Sequence, residues 1–166
     1  YVKRREFYDY KDHSRVGAKH GEFVDDETCD RFSILGTPED HIANLTDVAD
    51  HAVAACTSRE VFKSVLDEEG RSVFQGKIVV RPHAQKTDAK MATHALLLSE
   101  MAEADNKPEL EIFADDVVCG HGATSGDLDE DLLFYLRARG IPAKEAEALL
   151  IQAFVGEAVE GIEHAG

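Results

Sequence analysis

Ser72–Val80 reads SVFQGKIVV, and this run sets the expected fold class. Short apolar runs rich in β-branched residues are typical of strands, whereas helices in globular proteins are longer. Comparable runs are Thr93–Ser99 and Leu110–Val118, and Val61–Leu66 is a weaker case that is also open to a helical interpretation. Turn residues separating the runs are expected at Glu69-Gly70, Gln75-Gly76, Arg81-Pro82 and Asp105–Pro108. The middle of the chain is therefore predicted to consist of strands.

The spacing of these runs indicates how the strands are arranged. The apolar centres step by 18 residues from Val79 to Leu97 and by 15 residues from Leu97 to Ile112. Coils of roughly 20 residues without crossover helices are typical of a solenoid of stacked strands, a β-helix. A β-sandwich also gives short strands at regular spacing, so spacing alone leaves both architectures open.

The last part of the chain has a helical pattern. Asp127 is expected to cap a first helix with Glu130 in capping-box register, Gly140 to end it, and Pro142 to begin a second helix. Each helix carries one apolar face, formed by Leu128, Leu132, Tyr135 and Leu136 in the first and by Ala146, Leu149, Leu150, Ala153 and Phe154 in the second. These faces either pack on the strands or dock a partner protein.

Charge balance and the pattern of apolar residues divide the chain into an unplaced segment 1–33, a β core 34–120 and a helical domain 121–166. Whether the first segment continues the strand pattern is left open. The 166 residues include 18 Lys and Arg against 33 Asp and Glu, a net charge of −15. An acidic surface repels phosphate and anionic lipid, so nucleic acid and membrane surfaces are not expected as partners.

No apolar run is long enough to span a membrane, and no signal-peptide pattern follows the opening residues. The three cysteines Cys29, Cys56 and Cys119 are sparse and form no C-x-x-C pair, which indicates reduced thiols and no disulfide framework. A cytoplasmic location is therefore expected. No phosphate-binding glycine motif and no G-x-S-x-G motif occurs, so nucleotide hydrolysis of the P-loop type is not expected.

The densest chemical signal is Cys119-Gly120-His121-Gly122. In an extended segment, residues i and i+2 point to the same side, so Cys119 and His121 could face one ligand. A thiolate with an imidazole suits an iron–sulfur, zinc or copper site. Two ligands do not complete such a site, and the missing ones would come from elsewhere in the fold or from another chain. The alternative is a buried cysteine followed by a histidine in a turn.

Several strings, in this order and spacing, resemble the C-terminal half of the SufB/SufD family of iron–sulfur cluster assembly scaffolds. They are Cys56–Glu60 (CTSRE), Val73–Val79 (VFQGKIV), Ala84–Ala89 (AQKTDA), Leu96–Ser99 (LLLS), Lys107–Ile112 (KPELEI), Ala114–Thr124 (ADDVVCGHGAT) and Leu132–Ile141 (LLFYLRARGI). The resemblance covers about residues 34–160, and the Cys-x-His form at Cys119 and His121 is similar to SufD. Residues 1–33 match no family string, and the chain is expected to be the C-terminal part of a longer scaffold.

The resemblance implies a right-handed parallel β-helix followed by a small helical domain, acting as a non-catalytic scaffold. It implies that a SufB-like subunit pairs with the end of the β-helix, that a transient iron–sulfur cluster forms at that interface, and that His121 and Cys119 contribute to it. It further implies that a SufC-like ATPase docks on the helical region, which assigns partner binding to Leu132, Tyr135, Leu136, Leu150 and Phe154. No cluster is expected on the isolated chain, and a homodimer through an open sheet edge is plausible.

Two alternatives are kept. Acidic β-helices include polysaccharide hydrolases and lyases, for which Asp88, Asp115 and Asp116 would be the candidate carboxylates. Adjacent Asp115 and Asp116 would point to opposite faces of a strand, and the chain has no Trp for sugar stacking. The other alternative is a purely structural assembly subunit in which the Cys/His pair has no metal role.

Overall fold

The computed structural model describes residues 17–24, 28–36 and 42–159, with side chains from Asn44 to Ala158. Eight strands precede two helices. They are β1 (Gly17–Val24), β2 (Thr28–Gly36), β3 (Ile42–His51), β4 (Thr57–Leu66), β5 (Arg71–Val80), β6 (Asp88–Leu97), β7 (Glu103–Ile112), β8 (Val118–Gly126), α1 (Glu130–Ala138) and α2 (Ala143–Val159). This confirms the mainly β class with helices at the C-terminal end.

The strands form two four-stranded parallel sheets, and the chain alternates between them. One is the odd-strand sheet, β1-β3-β5-β7, and the other is the even-strand sheet, β2-β4-β6-β8. Two successive strands, one in each sheet, are called a coil below, and β7 with β8 is the last coil. The hydrophobic core lies between the sheets, where the rings of Phe62 and Phe74 meet at 4.5 Å between centroids.

The repeat is longer than the sequence spacing predicts. Within the odd-strand sheet, Ile42 pairs with Arg71, and Arg71 pairs with Glu103. Both steps exceed the coil of roughly 20 residues that is typical of such solenoids, so the predicted coil length is wrong. The shorter apolar steps, from Val79 to Leu97 and on to Ile112, instead join successive strands in opposite sheets, because both strands of a coil contribute to the same core.

The predicted strands are right in part. Ser72–Val80 lies in β5 and Val61–Leu66 in β4, while the strand expected at Thr93 begins earlier, at Asp88. Leu110–Val118 is not one strand, because it spans the end of β7, a corner and the start of β8. Apolar side chains reach the core from both sides of that corner, which makes the run look continuous.

Two predicted turns are also wrong, because Gln75-Gly76 lies inside β5 and Asp105–Pro108 inside β7. A Cβ at Gly76 would lie against the Met91 sulfur and 2.7 Å from Phe74 Cε1, so this glycine makes room for core side chains. Pro108 is tolerated because β7 is the edge strand of its sheet. Glycine and proline here reflect packing and edge position.

Strands extend beyond both ends of the predicted β core 34–120. β1 and most of β2 fall within the segment left unplaced, and they add a strand to each sheet. β8 continues to Gly126, past the boundary predicted at residue 120. Pairing with a strand of the neighbouring coil holds both β2 and β8 in place, and local pattern does not reveal such pairing.

The helical part begins with a cap two positions later than predicted. Asp129, not Asp127, accepts hydrogen bonds from the backbone N–H groups of Asp131 and Leu132. α1 ends as predicted at Gly140, which has a φ of 86° that favours glycine. α2 packs on β2 and β4, and α1 packs on α2. None of the helices in the described ranges is both long and apolar enough to cross a membrane.

Candidate functional site

The structure places Cys119 and His121 on the inner face of β8. Cys119 pairs in register with Ala89, and His121 pairs with Met91. Ala89 and Met91 are 0% and 2% exposed, and paired residues of parallel strands share a face. The two side chains expected on one side of an extended segment thus both face the core between the sheets, at its open end.

The last coil is the open end of the two-sheet body. Within the ranges that the structure describes, no strand pairs with the outer edge of β7 or β8. Inner-face side chains that are buried in β5 and β6 have half-buried or exposed counterparts in β7 and β8. Ile112, Phe113 and Val118 add exposed apolar surface at the corner between β7 and β8. The Cys/His pair therefore lies beside an unpaired, partly apolar edge.

The two side chains differ in environment. Cys119 is half-buried and packs against the core, while His121 is exposed. Burial raises the pKa of the Cys119 thiol, the Asp88 carboxylate raises it further, and a backbone hydrogen bond at Ala89 opposes them. At neutral pH the cysteine is accordingly a protonated thiol, which a metal ion would have to deprotonate on binding.

The described side chains supply no complete metal site. No group of three or more His, Cys, Asp or Glu residues among them is placed to hold a metal ion. Cys119 and His121 are two donors of the soft and borderline type that iron accepts. Further ligands would have to approach from outside this part of the chain, and the unpaired edge of β8 allows such an approach.

A cavity of about 360 Å³ lies beside this pair. Arg59, Val61, Lys90 and Ala92 line it, together with Glu60, Met91 and residues 118–121, which include Cys119 and His121. The first four residues alternate along β4 and β6 with inner-face residues such as Met91, so they belong to the outer face. The cavity therefore borders outer-face side chains of β4 and β6 as well as Cys119 and His121 of β8.

The model of the SUF system FeS cluster assembly SufBD core domain matches residues 27–154. The chain belongs to the SufBD core family. It is 41% identical over 137 residues to the iron–sulfur cluster assembly protein SufD of Escherichia coli, covering 82% of this chain and 32% of that protein. The family resemblance found in the sequence is confirmed.

Two further relatives give the same family. The chloroplastic protein ABCI7 of Arabidopsis thaliana is 43% identical over 114 residues, which cover 68% of this chain and 24% of that protein. SufD of Bacillus subtilis is 40% identical over 95 residues, which cover 57% of this chain and 22% of that protein. This SufBD core chain thus spans about a third or less of the length of the curated relatives it matches.

The helical residues predicted to bind a partner are only partly exposed in this SufBD core chain. Leu132 and Tyr135 are about half exposed, whereas Leu136 and Leu150 are half-buried. Phe154 serves as an internal contact, because its ring lies 4.4 Å from the ammonium of Lys63.

Sequence reasoning missed Phe134, which at 73% exposure is the most exposed large apolar side chain described. It lies off the i, i+3, i+4 face of α1 that Leu132 and Tyr135 share, and for that reason helical periodicity did not select it.

The carboxylates of the hydrolase alternative are held apart by separate partners. Asp88 pairs with Arg59, and the hydrogen bond from that guanidinium lowers the pKa of Asp88. Asp116 pairs with Lys86 in the corner before β8, where Asp115 is also exposed. The expectation that Asp115 and Asp116 lie on a strand is wrong, since both are in that corner. Nothing in this arrangement favours glycoside chemistry.

Proposed function

We propose that this chain is part of a scaffold on which iron–sulfur clusters are assembled, and that it acts without catalysing a reaction of its own. The cluster is cargo, formed transiently and passed on. The observation that carries the proposal is the placement of Cys119 and His121 together on the inner face of the open last coil. Membership of the SufBD core family supports it.

In this proposal, the cluster site is completed by a second, SufB-like chain that pairs along β7 and β8. His121 is exposed and available as a nitrogen ligand, and Cys119 supplies a thiolate once iron displaces its proton. A second copy of this chain could occupy the same edge when the SufB-like chain is absent. The apolar corner formed by Ile112, Phe113 and Val118 would be buried in either assembly.

The proposal also includes the finer features implied by the resemblance. The alternating parallel sheets wind as a right-handed β-helix, the hand that parallel crossover connections almost always take. A SufC-like ATPase docks on α1 and α2, with Leu132 and Tyr135 as its exposed apolar contacts. The assembly works in the cytoplasm, without nucleic acid or membrane partners.

Anaerobic reconstitution with iron and sulfide tests the site, using this chain alone and together with SufB-like and SufC-like subunits. We expect the visible absorption of a cluster only in the complex, and its loss in His121→Ala. His83→Ala is the matched control, because His83 is an exposed histidine in the corner before β6. Undiminished cluster formation in both His121→Ala and Cys119→Ala would leave only a structural role for this chain.

A further inference from the structure

Lys63 is a lysine buried on the outer face of the even-strand sheet. It alternates along β4 with inner-face Phe62 and Ser64, yet its side chain is only 3% exposed. α2 packs on β2 and β4 and covers it. Burying an ammonium is costly unless anions and hydrogen-bond acceptors surround it, so its contacts define what holds the helix there.

Three contacts to α2 converge on the Lys63 ammonium. Its Nζ donates a hydrogen bond of 2.7 Å to the backbone carbonyl of Phe154 and forms an ion pair with the Glu157 carboxylate. It also lies 4.4 Å from the centre of the Phe154 ring, in a cation–π contact. Lys63 thus contacts a single turn of α2 at three groups: the Phe154 carbonyl, the Glu157 carboxylate and the face of the Phe154 ring.

The contact continues across the sheet toward β8. Lys63 is in register with His94, and His94 is in register with Thr124. His94 Nδ1 lies 2.7 Å from Thr124 Oγ1, so a row of outer-face side chains links the helix to the strand that carries Cys119 and His121. Burial lowers the pKa of His94, the Lys63 cation lowers it further, and the Glu157 carboxylate opposes both.

α1 depends on α2 for its position. No residue of α1 is buried, and its principal packing partner is α2. The fully buried side chains of α2 in the described range are the alanines Ala146 and Ala158, which bury little apolar area. Directional contacts are therefore needed to fix where the pair of helices lies on the sheet.

We propose that Lys63 is a positioning residue that holds α2 on the even-strand sheet and thereby sets the place of the α1 surface where a partner protein docks. The docking part of this inference rests on the proposed function. Lys63 does not touch the partner and acts through α2.

Lys63→Met tests the inference, because it keeps the length and apolar stem of the side chain while removing the cation. The matched control is Lys77→Met, which removes a strand lysine ion-paired with Glu111 in the odd-strand sheet. In Lys63→Met we expect at least tenfold faster amide hydrogen exchange in α1 and α2, and weaker binding of a SufC-like ATPase. Lys63→Arg should restore much of both, since a guanidinium can reach the same carbonyl and carboxylate.

The imidazole of His94 gives an independent signature by NMR titration. Loss of the Lys63 cation should raise the pKa of His94, whereas Lys77→Met should leave it unchanged. Helix exchange or partner binding that responds to Lys63→Met no more than to Lys77→Met overturns the inference. An unchanged His94 titration would show that Lys63 is not close to the imidazole, which overturns it as well.

Leu132→Ala and Tyr135→Ala separate this inference from the proposed docking surface. Both should weaken ATPase binding while leaving the exchange of α2 and the titration of His94 as they are. If both bind the ATPase normally, the proposed docking surface is wrong. The exchange and titration measurements still decide the role of Lys63 in that case.

Discussion

His121 of β8 is paired in register with Met91 of β6. The exposed imidazole therefore neighbours, on the same face of the even-strand sheet, a thioether that is only 2% exposed. Met91 in turn lies against the backbone of Gly76 in the opposite sheet. The candidate cluster ligand thus rests on well-packed core, although its own strand is an open edge. Support of this kind fixes the position of a ligand better than a loop does.

Met91→Ala should remove that support. Truncating a buried methionine is expected to lower the free energy of unfolding by about 2 to 5 kcal/mol, since the neighbours close the resulting cavity only in part. Met91→Leu, which nearly conserves volume, should lower it by less than about 1.5 kcal/mol. Urea denaturation followed by far-UV circular dichroism measures both. Equal midpoints for the two variants would contradict this account of the packing.

Gly76→Ala should destabilise the protein in spite of the better strand propensity of alanine. The propensity gain is about 0.5 to 1 kcal/mol, against about 1 to 3 kcal/mol for overpacking. The clash should prevail because the Phe74 ring is held against Phe62 and cannot move away. Thermal unfolding checks this, and Gly122→Ala is the control, since a Cβ there would meet nothing within 4 Å. A stability equal to that of the control variant would show that the core side chains around Gly76 move to accommodate the added methyl group.

Asp129→Ala should cost about 1 kcal/mol of stability, the usual value of a lost N-cap. The Asp129 carboxylate accepts from two backbone N–H groups that α1 cannot otherwise satisfy. Asp127→Ala is the matched control, an exposed aspartate two positions earlier, and it should change stability by less than about 0.5 kcal/mol. Urea midpoints measure the difference. A larger loss of stability in Asp127→Ala than in Asp129→Ala would show that Asp127, the residue predicted from the sequence, is the N-cap.

Cys119 should react slowly with iodoacetamide at pH 7 and gain reactivity only above the pH at which an ordinary cysteine does. Burial favours the neutral thiol, so the pH midpoint of its alkylation rate moves upward. Mass spectrometry of alkylated peptides follows Cys119 separately, and Cys56, which is 1% exposed, should stay unmodified in the folded chain. A midpoint below that of a free cysteine would point to an activating cation near the sulfur.

Acid should loosen the contact between α2 and the sheet. The hydrogen bond from Lys63 lowers the pKa of Glu157 from its ordinary value of 4.5. A carboxylate whose folded pKa is lowered stabilises the folded state above its unfolded pKa, and that contribution is lost as the pH falls through the folded value. NMR shifts of the Phe154 ring, followed between pH 6 and about 3, should change with the Glu157 carboxyl. Glu157→Gln should abolish that pH dependence, and a Phe154 ring that still shifts over this range in the variant would contradict the assignment to Glu157.

The sequence predicted the class of the fold because its strongest signals are local. The β-branched run of β5 and Gly140 at the end of α1 are such signals, whereas the run in β4 was also open to a helical interpretation. The sequence did not predict the length of a coil, because that depends on which strands pair. Gln75-Gly76 reads as a turn, and only packing against Phe74 and Met91 explains why it lies within a strand.

For the candidate site, too, the local pattern was predictable from the sequence and the strand pairing was not. Period-two alternation was enough to place Cys119 and His121 on one face. That this face is the inner one, at an unpaired edge, depends on pairing with Ala89 and Met91 in the preceding coil. The contact of Phe154 with Lys63 could not be predicted, because Lys63 is far away in the chain and a helical pattern does not distinguish an internal contact from a docking residue.

Stacked strands in this chain keep an unbroken register, although the lengths of chain between them vary. Ile42 stacks on Arg71, Arg71 on Glu103, Thr57 on Asp88 and Asp88 on Val118, and no two of these steps along the chain are equal. All the variation in chain length falls in the corners, so the face to which each strand residue points is the same from coil to coil. An extra residue in a corner is absorbed, whereas one inserted within β8 before His121 would shift the imidazole from the core side to the solvent side. Natural length changes in such chains should therefore collect in the corners, and a single insertion between Cys119 and His121 should place the two side chains on opposite faces without removing either residue.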